Sequence, residues 1–195
     1  MRTLSLFARP QLDDYPLATP ERRQEIEKEI WDIYGREHAV MVLDMSGFSL
    51  LTQRHGIIFY LSMVRRMHKA VAPITANNGG RVVKFEADNA FAVFDSVLQA
   101  VKAAKEIHAF FAAENHPERV RVSIGIDYGK VLMVDDIDVF GSPVNRASKL
   151  GEDIAEADET LITSEAFALI PESAGISGKH TPMTISGIEI EVISL

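Results

Sequence analysis

The sequence predicts an α+β fold in which helices cover a largely antiparallel sheet. Three observations carry that expectation. Ala39 to Leu43 is a continuous apolar run of strand length, as expected of a strand buried on both faces. Arg81–Phe85 and Ala90–Phe94 flank Glu86-Ala87-Asp88-Asn89 as strand, turn and strand, which places Asp88 at a hairpin tip. Two long stretches with apolar residues at helical spacing separate these strand patterns from one another and from the later ones.

Taken in order, residues 1 to 18 hold Pro10, Pro16 and the adjacent acids Asp13-Asp14 without a sustained period, and read as an extended arm. Thr19-Pro20 then supplies an N-cap and a first-turn proline, and Ile26, Ile30 and Ile33 mark one amphipathic helix up to Gly35. That stripe fits packing on its own domain as well as dimerisation or signal reception. After the apolar strand ending at Asp44, a helix is expected from about Gly56 to Ala76, with Ile57, Leu61, Val64, Met67 and Val71 on one side. Asn77-Asn78-Gly79-Gly80 stops it, since Asn and Gly tolerate the left-handed conformation of a helix exit.

Beyond the hairpin, Ser96 can cap a helix reaching about Glu114, with Val97, Val101, Ala104 and Phe111 buried. Val120–Asp127 reads as a strand, Tyr128-Gly129 as a turn and Val131–Val134 as its return. The acidic Asp135-Asp136-Ile137-Asp138 precedes Gly141-Ser142-Pro143 and a helix from about Val144 to Ile154. Thr160–Ile162 and Ile188–Ile193 are expected as late strands, with a short Ser164–Ile170 helix between them. No internal repeat or low-complexity segment interrupts this order.

Composition narrows the function classes. A chain of 195 residues, 47% hydrophobic and 25% charged, fits one globular domain with a short appendage. Twenty basic against 28 acidic side chains give a charge of −8, which argues against non-specific nucleic-acid binding and against anionic membranes. A polyphosphate ligand would then need divalent cations beside it. The absence of cysteine excludes disulfides, thiolate metal sites and a Cys nucleophile. No run of 18 apolar residues could span a bilayer, and the short run Thr3–Ala8, followed by Arg9-Pro10, is no signal-peptide core; a cytoplasmic location is expected.

Two aspartates stand where chemistry could be built. Asp44 ends a buried strand and Asp88 sits on a hairpin tip that could lie beside it. Converging carboxylates suit one or two Mg²⁺ ions, which take oxygen ligands and usually a substrate phosphate; carboxylates at such places are also ordinary turn and cap residues. After Asp44, the run Met45-Ser46-Gly47-Phe48-Ser49 puts Gly and small polar residues where a strand leaves toward a helix, so backbone amides could face an anion. Other patterns are weaker. Gly125-x-x-x-Gly129-Lys130 is one residue short of a phosphate loop and lacks the following Ser or Thr. His55, His68 and His108 fall on helices without metal-ligand spacing, and Asp135, Asp136 and Asp138 lack the spacing of a calcium hand.

Asp44-x-x-Gly47-Phe48-Ser49, then Lys84-x-x-x-Asp88, then Asp138-Val139-Phe140-Gly141-x-x-Val144-Asn145-x-Ala147-Ser148-Lys149 resembles the ordered motif set of the class III adenylyl and guanylyl cyclase catalytic domain of bacterial type. The resemblance covers about residues 38 to 195, leaving 1 to 37 as the arm and amphipathic helix. It implies a ferredoxin-like, palm-type core. It also implies that Asp44, Asp88 and the Met45 carbonyl bind two Mg²⁺ or Mn²⁺ ions per site, and that amides from Ser46, Gly47, Phe48 and Ser49 cradle the triphosphate of ATP. Lys84 and Asp138 match the pair that reads adenine, the ammonium donating to N1 and the carboxylate accepting from the 6-amino group. Asn145 matches the residue that orients the ribose and Lys149 the position of a phosphate-stabilising arginine, both catalytic; spacing i, i+4 puts them on one helix face.

The implied reaction converts ATP to 3′,5′-cyclic AMP and pyrophosphate by two-metal in-line attack of the ribose 3′-hydroxyl, in sites shared across a homodimer. Three departures bear on turnover. Lys149 keeps a charge but loses the planar fork of arginine, Ala87 replaces a glycine before the second aspartate, and Ser186 stands near the place of a phosphate-binding lysine. A weak or inactive nucleotide-binding cyclase-homology module is therefore the alternative. A diguanylate cyclase is disfavoured, because Gly79-Gly80 is followed by Arg81 rather than by Asp/Glu-Glu-Phe.

Overall fold

A computed structural model describes residues 5–185 and 188–195. Ser186 therefore lies outside the described residues, as do Thr3 and Leu4. The fold is α+β, as expected: an eight-stranded sheet in the order β2-β3-β1-β4-β6-β8-β7, with β5 paired to β4 off this path. The strands are β1 (Gly35–Met45), β2 (Gly80–Glu86), β3 (Asn89–Phe94), β4 (Val122–Val134), β5 (Asp138–Phe140), β6 (Thr160–Thr163), β7 (Lys179–Ile185) and β8 (Ile188–Ser194). All described pairings are antiparallel except β4 with β6. The helices are α1 (Gln11–Asp14), α2 (Pro20–Tyr34), α3 (Phe48–His55), α4 (Ile57–Asn77), α5 (Val97–Ala112), α6 (Ser142–Ser148) and α7 (Ser164–Phe167), and a π-helical turn follows α6 over Lys149–Ile154.

The central β1 explains the layering. Successive side chains of a strand point to opposite faces. Ala39, Met41, Leu43 and Met45 enter the main core with α4 and α5, while Val40 and Val42 enter a second core with Phe91, Val131, Val139 and Val144. Both faces are covered, so the run is apolar at every position. Helix α5 begins with a capping box between Ser96 and Gln99, which satisfies amides left open at a helix start. Val97, Val101, Ala104 and Phe111 are buried, as the pattern predicts.

Four expectations are corrected. Residues 6 to 17 are not extended but form successive helical turns, whose Leu6 packs with Ile26, Ile30 and Tyr34 of α2 and with Val134; α2 thus packs on its own chain. Strand β4 runs unbroken through Tyr128-Gly129, because β1 pairs with it from Gly35↔Leu132 to Met45↔Val122 and that ladder outweighs local turn preference. The buried stripe of α4 is rotated: Tyr60, Met63, Val64, Met67, Ala70, Val71 and Ile74 are buried, whereas Ile57, Ile58 and Leu61 are exposed, as are Phe48 and Leu50 of α3. The helix expected over Val144–Ile154 changes to the wider π geometry at Lys149.

The π-turn lies directly on the sheet. A Cβ on Gly151 would come 2.7 Å from the Val42 carbonyl oxygen and 2.8 Å from the Gly125 nitrogen. One on Gly125 would come 2.0 Å from the Ala147 carbonyl oxygen. Two glycines back to back thus let α6 and the π-turn touch β1 and β4, which carries the following acids, Glu152 and Asp153, toward the end of β1.

Candidate active site

Asp44 lies on β1 opposite Asn89 of β3, so Asp88, one residue before β3, lies at the same end of the sheet. The Asp44 carboxyl is pushed up to about 7, first by burial, then by the Asp88 charge and by Glu152 and Asp153. Among the described residues no Lys, Arg or His pairs with Asp44 or Asp88. Acids crowded without a counter-charge form a place where a divalent cation offsets repulsion, so the donor set fits hard cations with oxygen ligands.

Asp88 is held from behind. The Tyr60 hydroxyl, on buried α4, donates to Asp88 Oδ2 at 2.5 Å, and the Tyr60 ring meets Phe48 edge-on at 4.8 Å between centroids. Burial and this bond push the Tyr60 phenol well above its usual range, so it stays a donor. Ala87 sits at φ 52°, the left-handed region that costs a non-glycine residue about 1 kcal/mol; this is the local consequence of the missing glycine.

The turn after Asp44 needs its glycine. Gly47 has φ 97° and caps α3, and the Phe48 and Ser49 amides open that helix, where no intrahelical acceptor reaches them. Ser46 differs from expectation: its amide donates to the Arg121 carbonyl at 2.9 Å, which ties it to the strand ladder rather than leaving it for a ligand.

Lys84 and Asp138 come together from distant elements. Lys84 Nζ lies 3.2 Å from Asp138 Oδ1 and 2.9 Å from Glu86 Oε2, and 4.8 Å above the Phe91 ring. Arg81 and Asp136, 3.0 Å apart, add a second link between β2 and the β4–β5 turn. Asn145 and Lys149 are exposed on α6 and at the start of the π-turn, and Lys149 is ion-paired with Asp153.

Sequence reasoning missed the support beneath α6. Arg146 Nε donates to Asp127 Oδ2 at 2.6 Å, and the Thr163 hydroxyl donates to Asp127 Oδ1 at 2.6 Å. Asp127 is buried within β4. Burial pushes its carboxyl up against the opposing pull of Thr163 and Arg146. The signal available was an acid in a strand pattern directly after Ile124, Gly125 and Ile126. Tyr60 carried no signal, because a helix tyrosine is usually core.

No family model matches the chain. An uncharacterised protein of Mycobacterium tuberculosis is 28% identical over 155 residues, 77% of this chain and 38% of that protein. A Streptomyces coelicolor protein named adenylate cyclase is 32% identical over 137 residues, 70% of this chain and 35% of that protein. The crystal structure of an adenylate/guanylate cyclase/hydrolase from Silicibacter pomeroyi is 27% identical with a TM-score of 0.69, over 82% of this chain and 96% of that one. The chain belongs to the class III nucleotidyl cyclase family. It spans little more than a third of the length of the two sequence relatives. The cyclase homology domain carries no described helix long and apolar enough to cross a membrane.

Proposed function

We propose that this cyclase homology domain acts as an adenylate cyclase, forming 3′,5′-cyclic AMP and pyrophosphate from ATP in sites shared across a homodimer. The observation that carries the reading is the half-buried Asp44 beside Asp88, raised in pKa and without a cationic partner among the described residues. Two Mg²⁺ or Mn²⁺ ions, held by Asp44, Asp88 and the Met45 carbonyl, would supply Lewis-acid activation of the 3′-hydroxyl and charge neutralisation on the leaving pyrophosphate. The chain's own groups do the rest. The Gly47, Phe48 and Ser49 amides receive phosphate oxygens at the start of α3, Lys84 and Asp138 read the adenine edge, and Asn145 orients the ribose. Lys149 offers a cation to the phosphates once Asp153 releases it. The exposed apolar side chains Phe48, Leu50, Ile57, Ile58 and Leu61 on the neighbouring helices α3 and α4 support pairing with a second copy, because exposed apolar surface marks an interaction site.

The test is incubation of purified protein with ATP or GTP and Mg²⁺ or Mn²⁺, with chromatographic identification of the product. A folded dimer that yields no cyclic nucleotide under any of these conditions defeats the enzyme reading.

One observation favours a nucleotide-binding module without turnover: Lys149 stands where the family has arginine and is neutralised locally by Asp153. Lys149→Arg is expected to raise a low basal rate about tenfold, because a planar fork holds a phosphate with two parallel bonds. Unchanged, absent turnover in that variant favours the module.

Tyr60→Phe removes the bond to Asp88. Loss of a partner behind a metal-binding carboxylate typically weakens metal affinity 10- to 100-fold. The Mn²⁺ concentration for half-maximal activity should therefore rise by about tenfold or more, with kcat at saturating Mn²⁺ changed far less. An unmoved Mn²⁺ dependence rules out this support.

A further inference from the structure

A residue ion-paired with one member of the expected adenine-reading pair is chemically unexpected. Lys84 and Glu86 are two apart on β2, hence on the same face of the strand, and Lys84 Nζ lies between two carboxylates, 3.2 Å from Asp138 and 2.9 Å from Glu86. The ammonium thus meets one acceptor from β5 and a second from β2. The Glu86 side chain is 65% exposed, so its ion pair contributes little to stability, and its carboxylate is open to a ligand.

Purine edges fit that set in two ways. Adenine presents a donor at its 6-amino group and an acceptor at N1, matching Asp138 and Lys84. Guanine presents an acceptor at O6 and donors at N1 and the 2-amino group. Set in the adenine position it would oppose O6 to Asp138 and N1–H to Lys84. Moved one step along the edge, it matches Lys84 with O6 and Glu86 with both donors, a two-bond contact of the kind a carboxylate makes well. Phe91, beneath Lys84, keeps the ammonium central in either case.

Resting on the cyclase reading above, we propose that Glu86 is a second purine-reading acceptor, and that the Asp138–Lys84–Glu86 row admits guanine nucleotides as well as adenine nucleotides. Glu86 is thus specificity-determining, with Asp138 serving ATP and Glu86 serving GTP.

The experiment measures dissociation constants for ATP and GTP with Mn²⁺ by equilibrium binding, alongside product formation, for the wild type, Glu86→Ala, Glu86→Gln and Asp138→Ala. The wild type should bind both. Glu86→Ala should weaken GTP by about tenfold or more relative to ATP, because the two guanine donors lose the carboxylate that accepts from both. Glu86→Gln, which retains one acceptor oxygen, should fall between, and Asp138→Ala should shift the ratio the other way. A purely structural side chain would move both nucleotides together. Equal changes for ATP and GTP, or a wild type that binds ATP and not GTP, overturns the inference even where cyclic AMP is made. A crossover in binding without any cyclic product upholds Glu86 while defeating turnover. Binding of neither nucleotide overturns both.

Discussion

Asp44→Ala, assayed alone, is expected to lose cyclase activity by roughly a thousandfold or more, since a metal-held transition state is stabilised by several kcal/mol and each 1.4 kcal/mol is a factor of ten. Lys84→Ala alone should also lose most of its activity on ATP. If each site takes its acid pair from one subunit and its base-reading row from the other, mixing the two variants restores one intact site per mixed dimer. Random exchange then returns about a quarter of wild-type activity, from half the dimers with half their sites. A verified heterodimer without rescue counts against shared sites.

Stability separates this loss from misfolding. Without metal, the Asp44 carboxyl is raised to about 7 from 3.8, so the folded chain holds a proton that the unfolded chain releases. Stability from this group is therefore greatest below about pH 4, falls as pH rises toward 7 and is flat above it. In chelator, Asp44→Ala should melt no lower than wild type at pH 8, and its midpoint should fall less than the wild type's between pH 5 and pH 8. A variant that melts well below wild type at pH 8 would mean that Asp44 supports the fold.

Gly125→Ala is expected to be the most damaging small substitution in the sheet. The added carbon would sit 2.0 Å from the Ala147 carbonyl oxygen and 2.5 Å from the Gly151 nitrogen, both backbone atoms that cannot rotate away. Forcing them apart should cost about 3 kcal/mol, which lowers the melting midpoint by roughly 6 to 12 °C for a chain of this size. The displaced α6 carries Asn145 and leads into Lys149, so activity should fall further than stability alone explains. Differential scanning fluorimetry checks the first part, and a midpoint within about 2 °C of wild type would show that the layers part without strain.

The legible parts of this molecule were those whose cause is local. The apolar run of β1, the Ser96 cap and the Asp88 hairpin each announce themselves within a few residues. The three motifs placed Asp44, Lys84, Asp88 and Asp138 in order, and the fold brings them together in two pairs, Asp44 with Asp88 and Lys84 with Asp138. What stayed hidden depends on partners far along the chain. The ladder of β1 with β4 removes a turn that Tyr128-Gly129 would otherwise favour. Asp127 is satisfied by Arg146 and Thr163, on two later elements. The inward face of α4 includes Tyr60, which reaches Asp88 from a different element, while Ile57 and Leu61 turn out. The π-turn depends on contact between Gly125 and Gly151, which no single-segment pattern encodes.

The strand order also fixes the sequence of events as the chain is made. Strand β1 can gain one neighbour once the β2–β3 hairpin is complete at Phe94, but its other edge must wait for β4, which ends at Val134. During synthesis a central strand with the apolar run Ala39–Leu43 therefore leaves the ribosome with one side open for the length of α5 and the loop after it. Such an edge is a template for pairing with another chain. Arrest of translation within α5 should thus yield an aggregation-prone nascent chain, whereas arrest well beyond Val134 should not.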